Sequence, residues 1–162
     1  CSHIRRLDVK LSENFYLREF TKSQTAERKG IKNIPNKNQI ENLQELCENV
    51  LQPIRNEFGS FTPSSGFRCP ELCIEIGSSS ISQHAKGQAA DFEVMGVDNK
   101  IVANWIINNL TYDQLILECY KPDEPNSGWI HVSYCSWKDE QNRMQSMTYE
   151  YKIGYKIVKG EF

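Results

Sequence analysis

An apolar stripe between residues 36 and 59 is the feature that most constrains how this 162-residue chain can fold. The apolar residues recur at steps of mostly three and four, which is the spacing of one buried face of a helix. The stripe comprises Ile40, Leu43, Cys47, Val50, Leu51, Ile54 and Phe58. Asn36 or Asn38 can cap this helix, Gly59 can end it, and Pro53 should bend it. The pattern therefore predicts one long scaffold helix.

Strand-like segments follow mostly in the second half of the chain. Residues 89–94, 115–120 and 129–134 are apolar or β-branched, and turn-forming residues separate them. A shorter strand is predicted at residues 61–65, and the alternating tail over 149–158 is interpreted as an edge strand. Helices first and mostly short strands later favour an α+β fold. We expect a small antiparallel sheet with helices packed on one side.

Composition excludes several classes of protein. The formal net charge is −2, whereas a nucleic-acid-binding surface would be strongly basic. No apolar run approaches the roughly 18 residues needed to span a bilayer. The length suits one domain that buries roughly 70% of the surface its unfolded chain would expose. We therefore expect a monomer that binds no nucleic acid and does not cross a membrane.

The six cysteines suggest a metal site at first sight. Cys69 and Cys73 lie four residues apart in a predicted helix, so they share a face and could form half of a metal site. The alternative is two small buried apolar residues. Six cysteines in 162 residues are also too few for a disulfide scaffold, which favours reduced thiols.

A second candidate metal site uses two of the three histidines. Residues 82–91 read SQHAKGQAAD, and residues 128–133 read GWIHVS. Asp91 lies inside an apolar strand, where an ionised carboxylate is costly unless it is paired or binds a cation. His84, Asp91 and His131 together would make a three-ligand set for zinc with a fourth position for water, which is the catalytic kind of site. From spacing alone, a loop histidine, a turn aspartate and a core histidine explain the residues equally well.

The motif S-x-H-x-x-G-x-A-x-D, followed downstream by W-x-H, resembles the zinc D-Ala-D-Ala carboxypeptidase family, peptidase family M15. It is most similar to the short phage and prophage members. Residues 65–72, SGFRCPEL, resemble the family segment SGYRSPxL, and residues 11–15, 20–23 and 112–118 also match. The resemblance covers about residues 11–135, which we interpret as the zinc peptidase domain. Residues 1–10, which begin with Cys rather than Met, are interpreted as a lead or a cloning remnant, and residues 136–162 as a C-terminal extension packing on the same domain.

The resemblance implies a fold like that of hedgehog and D-Ala-D-Ala peptidases, and one Zn²⁺ per chain. The residues that match the zinc ligands are His84, Asp91 and His131. Arg68 matches an arginine that helps bind the substrate or stabilise the developing oxyanion, for which a planar guanidinium is suited. A surface arginine paired with a nearby glutamate is the alternative. Ser82 and Gln83 are interpreted as residues that shape the loop.

The general base is where the sequence departs from the family pattern. Many members carry an acid three residues before the second histidine, and here that position is Gly128. Glu118 is the proposed replacement, because it ends the strand that should pair with residues 129–134. Glu93 is the second candidate, two residues past Asp91 on the same strand face. Glu124 in the following loop is the third.

By resemblance, the chain is a zinc peptidase that hydrolyses peptide bonds of bacterial peptidoglycan stem peptides through a metal-activated water. A D,D-carboxypeptidase and an L-Ala-D-Glu or D,D-endopeptidase fit equally well. A catalytically weak, zinc-containing cell-wall-binding module and a phage structural protein are the alternatives, since no acid occupies position 128. If the chain is phage-encoded, we expect it in the host cytoplasm and then the cell wall, or on the virion.

Overall fold

The computed structural model describes residues 9–136 and 141–162, and in them the chain is an α+β protein. The α-helices are α1 (Arg18–Thr21), α2 (Gln24–Lys29), α3 (Lys37–Leu46), α4 (Gln52–Phe58), α5 (Pro70–Glu75) and α6 (Asn99–Asn109). A π-helical turn, Cys47–Leu51, joins α3 to α4, and Gln83–Lys86 form a 3₁₀ turn. The strands are β1 (Ala89–Phe92), β2 (Gln114–Glu118), β3 (Trp129–Ser133), β4 (Gln145–Glu150) and β5 (Gly154–Val158).

The long helix predicted from the apolar stripe is present over α3, the π turn and α4. Asn36 begins it with a capping box, in which its side chain accepts from the Gln39 N–H and the Gln39 side chain accepts from the Asn36 N–H. Gly59 ends it with a φ of 100°. Pro53 lies in the first turn of α4 and cannot donate to the preceding turn. The π turn lies directly before this proline, with the Gln52 N–H bonded to the Cys47 carbonyl five residues back.

The five strands form one mixed sheet in the order β1-β3-β2-β4-β5. Most neighbours are antiparallel, but β2 and β4 pair in parallel. The expectation of an antiparallel sheet was therefore wrong at this pair. The tail supplies two strands instead of one, and β4 lies on the side of β2 opposite β3, where it runs parallel to β2.

The predicted strand at residues 61–65 is reduced to a single bridge between Ser65 and Asp91. The Asp91 N–H donates to the Ser65 carbonyl at 2.8 Å. This bridge fixes the backbone of Asp91 from the side opposite β3.

The sheet has one face in the core and one face toward a cavity. The core face packs with α3, the π turn, α4 and α6, and it presents Ala90, Phe92, Leu115, Leu117, Ile130 and Val132. Because side chains alternate along a strand, the residues between these point to the opposite face. Asp91, Ile116 and His131 lie in this alternate set and line the cavity. The helices thus cover one face of the sheet, and side chains of the other face line the cavity.

The C-terminal segment continues the same sheet and core. Phe162 packs against the core, and its backbone N–H donates to Asn104 Oδ1 at 2.7 Å. Within the described ranges, no helix has the length and apolar character that a membrane crossing requires.

Candidate metal centre

Three elements bring the histidines and the aspartate of the sequence motif together. His84 comes from the 3₁₀ turn, Asp91 from β1 and His131 from β3. Asp91 and His131 are direct partners in the antiparallel register of β1 and β3, so they meet on one face of the sheet. Gly87 ends the 3₁₀ turn with a φ of 74°, and a Cβ there would collide with the Gln39 carbonyl oxygen. Only glycine allows this turn to return so closely under α3.

The three side chains form a compact donor group. One candidate ligand atom from each residue lies within 4.8 Å of the others. His131 Nδ1 is 2.9 Å from Asp91 Oδ1, and His84 Nε2 is 3.6 Å from Asp91 Oδ2. The two imidazole centroids are 5.1 Å apart. These separations fit a single small cation held by all three residues.

The orientation of His84 is set by the backbone. Its Nδ1 lies 2.7 Å from the Gly66 carbonyl oxygen, an acceptor, so Nδ1 carries a proton and Nε2 is the ring nitrogen that faces Asp91. A Cβ at Gly66 would lie 2.7 Å from the Phe20 ring, so a larger residue there would displace this carbonyl. Nε2 is therefore directed at Asp91, while Nδ1 donates to a backbone carbonyl, as is common in metal-binding histidines.

Asp91 is held in its ionised form. Burial alone would raise the pKa of this carboxyl, but the hydrogen bonds from His131 and His84 outweigh burial and hold the pKa well below its usual range. Arg68 Nη2 lies 3.5 Å from Asp91 Oδ2 and adds a positive charge nearby. A carboxylate that stays ionised at neutral pH is a competent ligand for a divalent cation.

Glu118 lies at the end of β2 next to this group. It pairs with Trp129 in the register of β2 and β3, as expected, and it lines the same cavity as Arg68 and the three candidate ligands. Burial, followed by the negative charge of Asp91, raises the pKa of the Glu118 carboxyl, although the charge of His131 partly offsets this rise. A carboxyl with a raised pKa binds a proton more readily, which suits general acid–base chemistry.

The structure explains why position 128 carries no acid. Gly128 has a φ of 67°, and a Cβ there would collide with the Glu118 carbonyl oxygen. The backbone of residues 118–120 occupies the space that a side chain at 128 would need. An acid at 128 is therefore incompatible with the observed path of the chain through Glu118.

The other two acids considered as bases lie elsewhere. Glu93 is exposed, and its Oε1 accepts from Asn99 Nδ2 at 3.3 Å. Glu124 lies in the exposed turn that follows β2, where it bridges with Lys121. In the described part of the chain, neither is among the residues that line the cavity of the metal group.

The cavity that contains the donor group has a volume of about 1280 Å³. On the His84 side it is bounded by amide side chains from the start of the long helix, namely Asn36, Asn38 and Asn42. On the His131 side it is bounded by residues of the sheet, namely Ile116, Met147 and Tyr155. The sheet therefore adds an apolar set to the lining, although Gln114 and Glu118 of β2 line the cleft beside it.

An ion pair between buried Asp113 and partly exposed Arg143, beside the centre, was not predicted from the sequence. Asp113 accepts from Arg143 Nε and Nη2 at 2.8 and 2.7 Å, and from Gln83 Nε2 at 2.8 Å. Burial opposes ionisation of Asp113, but the bonds from Arg143 and Gln83 lower its pKa to about 2. Gln83 directly precedes His84, so this network ties the 3₁₀ turn to the start of β2. The motif identified Gln83 as loop-shaping, but no local pattern connects it to Asp113 or Arg143.

The cysteine alternative is not supported by the described residues. Among the described residues, the cluster that could hold a metal ion consists of His84, Asp91 and His131, and it contains no cysteine. Cys73 is fully buried, and its Sγ donates to the Arg68 carbonyl at 3.3 Å. The interpretation of Cys73 as a small buried residue is therefore the better one, with a role in holding the Arg68 backbone.

His84, Asp91 and His131 offer two imidazoles and a carboxylate beside a cleft, which are ligand types that zinc accepts. In a comparison with protein families, the model of Peptidase M15 matches residues 13–133. The chain therefore belongs to peptidase family M15, a family of zinc-dependent hydrolytic metallopeptidases. A search of curated proteins found no match.

Proposed function

We propose that this chain is a zinc peptidase that hydrolyses peptide bonds of bacterial peptidoglycan stem peptides. The observation that carries the proposal is the convergence of His84, Asp91 and His131 in one cleft with Glu118 and Arg68. Membership of peptidase family M15 supports the hydrolytic chemistry. The cell-wall substrate is inferred from the resemblance of the sequence motifs to those of short phage and prophage members. The proposal covers both a D,D-carboxypeptidase and an endopeptidase.

The donor chemistry fits one Zn²⁺ held by His84, Asp91 and His131. His84 would offer Nε2 to the metal because Nδ1 is engaged by a carbonyl, and Asp91 stays ionised. Bound zinc would supply a Lewis acid and a water of lowered pKa, near 7. A three-residue set leaves a position for that water, as catalytic zinc sites require.

Glu118 and Arg68 are proposed to perform the remaining steps. Glu118 would accept the proton of the attacking water and then donate it to the leaving amine, and its raised pKa makes it a stronger base for the first of these transfers. Arg68 would bind the substrate carboxylate or the developing oxyanion, because its guanidinium donates in a planar fork. Its ion pair with Asp91 holds it beside the donor group.

Digestion of purified peptidoglycan, with mass analysis of the released fragments, tests the proposal. We expect new L-Ala or D-Ala termini, and the terminus that appears identifies the bond. The His131→Ala variant should release no fragments and should bind no zinc in metal analysis. A wild-type chain that is loaded with zinc and binds peptidoglycan without releasing fragments would indicate a wall-binding module instead.

A further inference from the structure

We propose that the C-terminal hairpin completes the cleft with an apolar subsite, formed by Ile116, Met147 and Tyr155, for an uncharged side chain next to the scissile bond. This inference rests on the proposed peptidase function and specifies it further. Met147 and Tyr155 belong to β4 and β5, which lie beyond the residues matched by the family model. The specificity of this chain would then depend partly on its own C-terminal segment.

Strand register places these residues beside the metal group. Ile116 of β2 pairs with His131 on one side and with Met147 on the other. Paired residues point to the same face of a sheet, so the three side chains form a row. The row therefore leads from a candidate metal ligand directly onto the C-terminal hairpin.

Tyr155 lies in the neighbouring row on the same face of the sheet. Glu118 pairs with Tyr149, and Tyr149 pairs with Tyr155, so both tyrosines lie on the cavity face next to the proposed base. Their ring centroids are 4.8 Å apart. Tyr155 is 63% exposed and contributes a wall, whereas Ile116 and Met147 are buried and contribute the floor.

The chemistry of this row favours an apolar group. A substrate methyl or alkyl group would gain contact with Ile116 and Met147 and leave water. A substrate carboxylate would lose its hydration on the same floor and would lie near the negative charge of Glu118. The cationic side chains that line the cleft, Arg68, Lys86 and Arg143, come from other elements than these three strands. The row should therefore select alanine-like residues against acidic ones.

Synthetic stem peptides with alanine or glutamate at each residue flanking the scissile bond test this subsite. At one flanking position, wild-type protein should prefer alanine by about tenfold or more in kcat/KM. Tyr155→Ala and Met147→Ala should reduce this preference to about threefold or less, mainly through KM. Tyr155 is exposed, so its variant should fold, and zinc content and melting temperature should be measured for each protein.

Tyr151→Ala is the matched control, because Tyr151 is a 75% exposed tyrosine in the turn of the same hairpin. It should keep the wild-type preference. Equal cleavage of alanine and glutamate peptides by wild type, or an unchanged preference in both cleft variants, overturns the subsite and leaves the peptidase proposal intact. A zinc-loaded wild type that cleaves no peptide overturns the proposed function and the subsite with it.

Discussion

At the scale of single residues, the identity of the base is the sharpest question. Glu118→Gln removes the proton acceptor but keeps the side-chain shape, so zinc binding should persist while turnover falls by about 10²–10⁴-fold. Peptide hydrolysis and metal content of the same preparation measure both effects. Glu93→Gln is the matched control and should cost less than about twofold, because Glu93 is exposed and bonded to Asn99. Unchanged turnover in Glu118→Gln would remove Glu118 from the mechanism.

Position 128 gives a second prediction at this scale. Gly128→Asp restores an acid where many family members carry one, yet it should not restore activity to a Glu118→Gln background. A side chain at 128 collides with the Glu118 carbonyl and requires a positive φ, which together should cost about 1–3 kcal/mol of folding free energy. Urea unfolding and peptide hydrolysis of the single and double variants check this. Recovery of hydrolysis in the double variant would show that the backbone at 118–120 can move aside.

For single residues, the sequence predicted the candidate metal ligands but not the ion pair beside them. The costly placement of Asp91 in an apolar strand and the family-like spacing of His84 and His131 identified the three residues that the structure brings together. Their roles as zinc ligands stay a prediction. Asp113 and Arg143 were not identified, because their pairing spans 30 residues and depends on how the tail returns to the sheet. Such a contact has no local periodicity that a sequence pattern could reveal.

At the scale of elements, helices were predicted more accurately than strand pairing. Capping residues and an apolar period act locally, so Asn36 caps the long helix, as expected, and Ser23 and Asp98 cap two others in the same way. Strand partners are chosen by non-local packing, and the parallel pairing of β2 with β4 was therefore not foreseen. The detailed likeness to hedgehog and D-Ala-D-Ala peptidase folds stays a prediction.

A prediction about elements concerns the position of the 3₁₀ turn that carries His84. Asp113→Asn should weaken the tie between this turn, β2 and the tail, and we expect about a tenfold loss of zinc affinity in competition with a chelator. Hydrolysis at saturating zinc should fall less than the affinity does. The control is Asn108→Asp, which should leave zinc affinity unchanged because Asn108 lies on α6, away from the cleft. Gln114→Glu would not serve as a control, because Gln114 lines the cleft.

The ion pair of Asp113 also predicts a pH dependence of stability. The pKa of Asp113 is lowered from 3.8 to about 2 in the folded chain, so its contribution is fully present above about pH 5 and is lost as the pH falls toward 2. Because the Arg143 side chain is 53% exposed, we expect roughly 1–2 kcal/mol. Urea unfolding of wild type and Asp113→Asn should therefore differ at pH 6 and converge near pH 2. A difference that is constant over this range would exclude the ion pair as its source.

At the scale of the whole molecule, the proposed metal joins parts of the chain that are distant in sequence. His84 lies on a turn under α3, Asp91 on β1 and His131 on β3, and binding by all three requires the folded arrangement. A ligand that binds only the folded chain stabilises it by about 2.7 kcal/mol at a concentration of 100 Kd. For a chain of this length, that corresponds to a rise in melting temperature of roughly 5–10 °C. Calorimetry of chelator-treated protein with and without added Zn²⁺ measures this rise, and His131→Ala should abolish it. An equal rise in His131→Ala would mean that zinc binds elsewhere. The proposal that zinc in the cleft stabilises the folded chain would then be rejected.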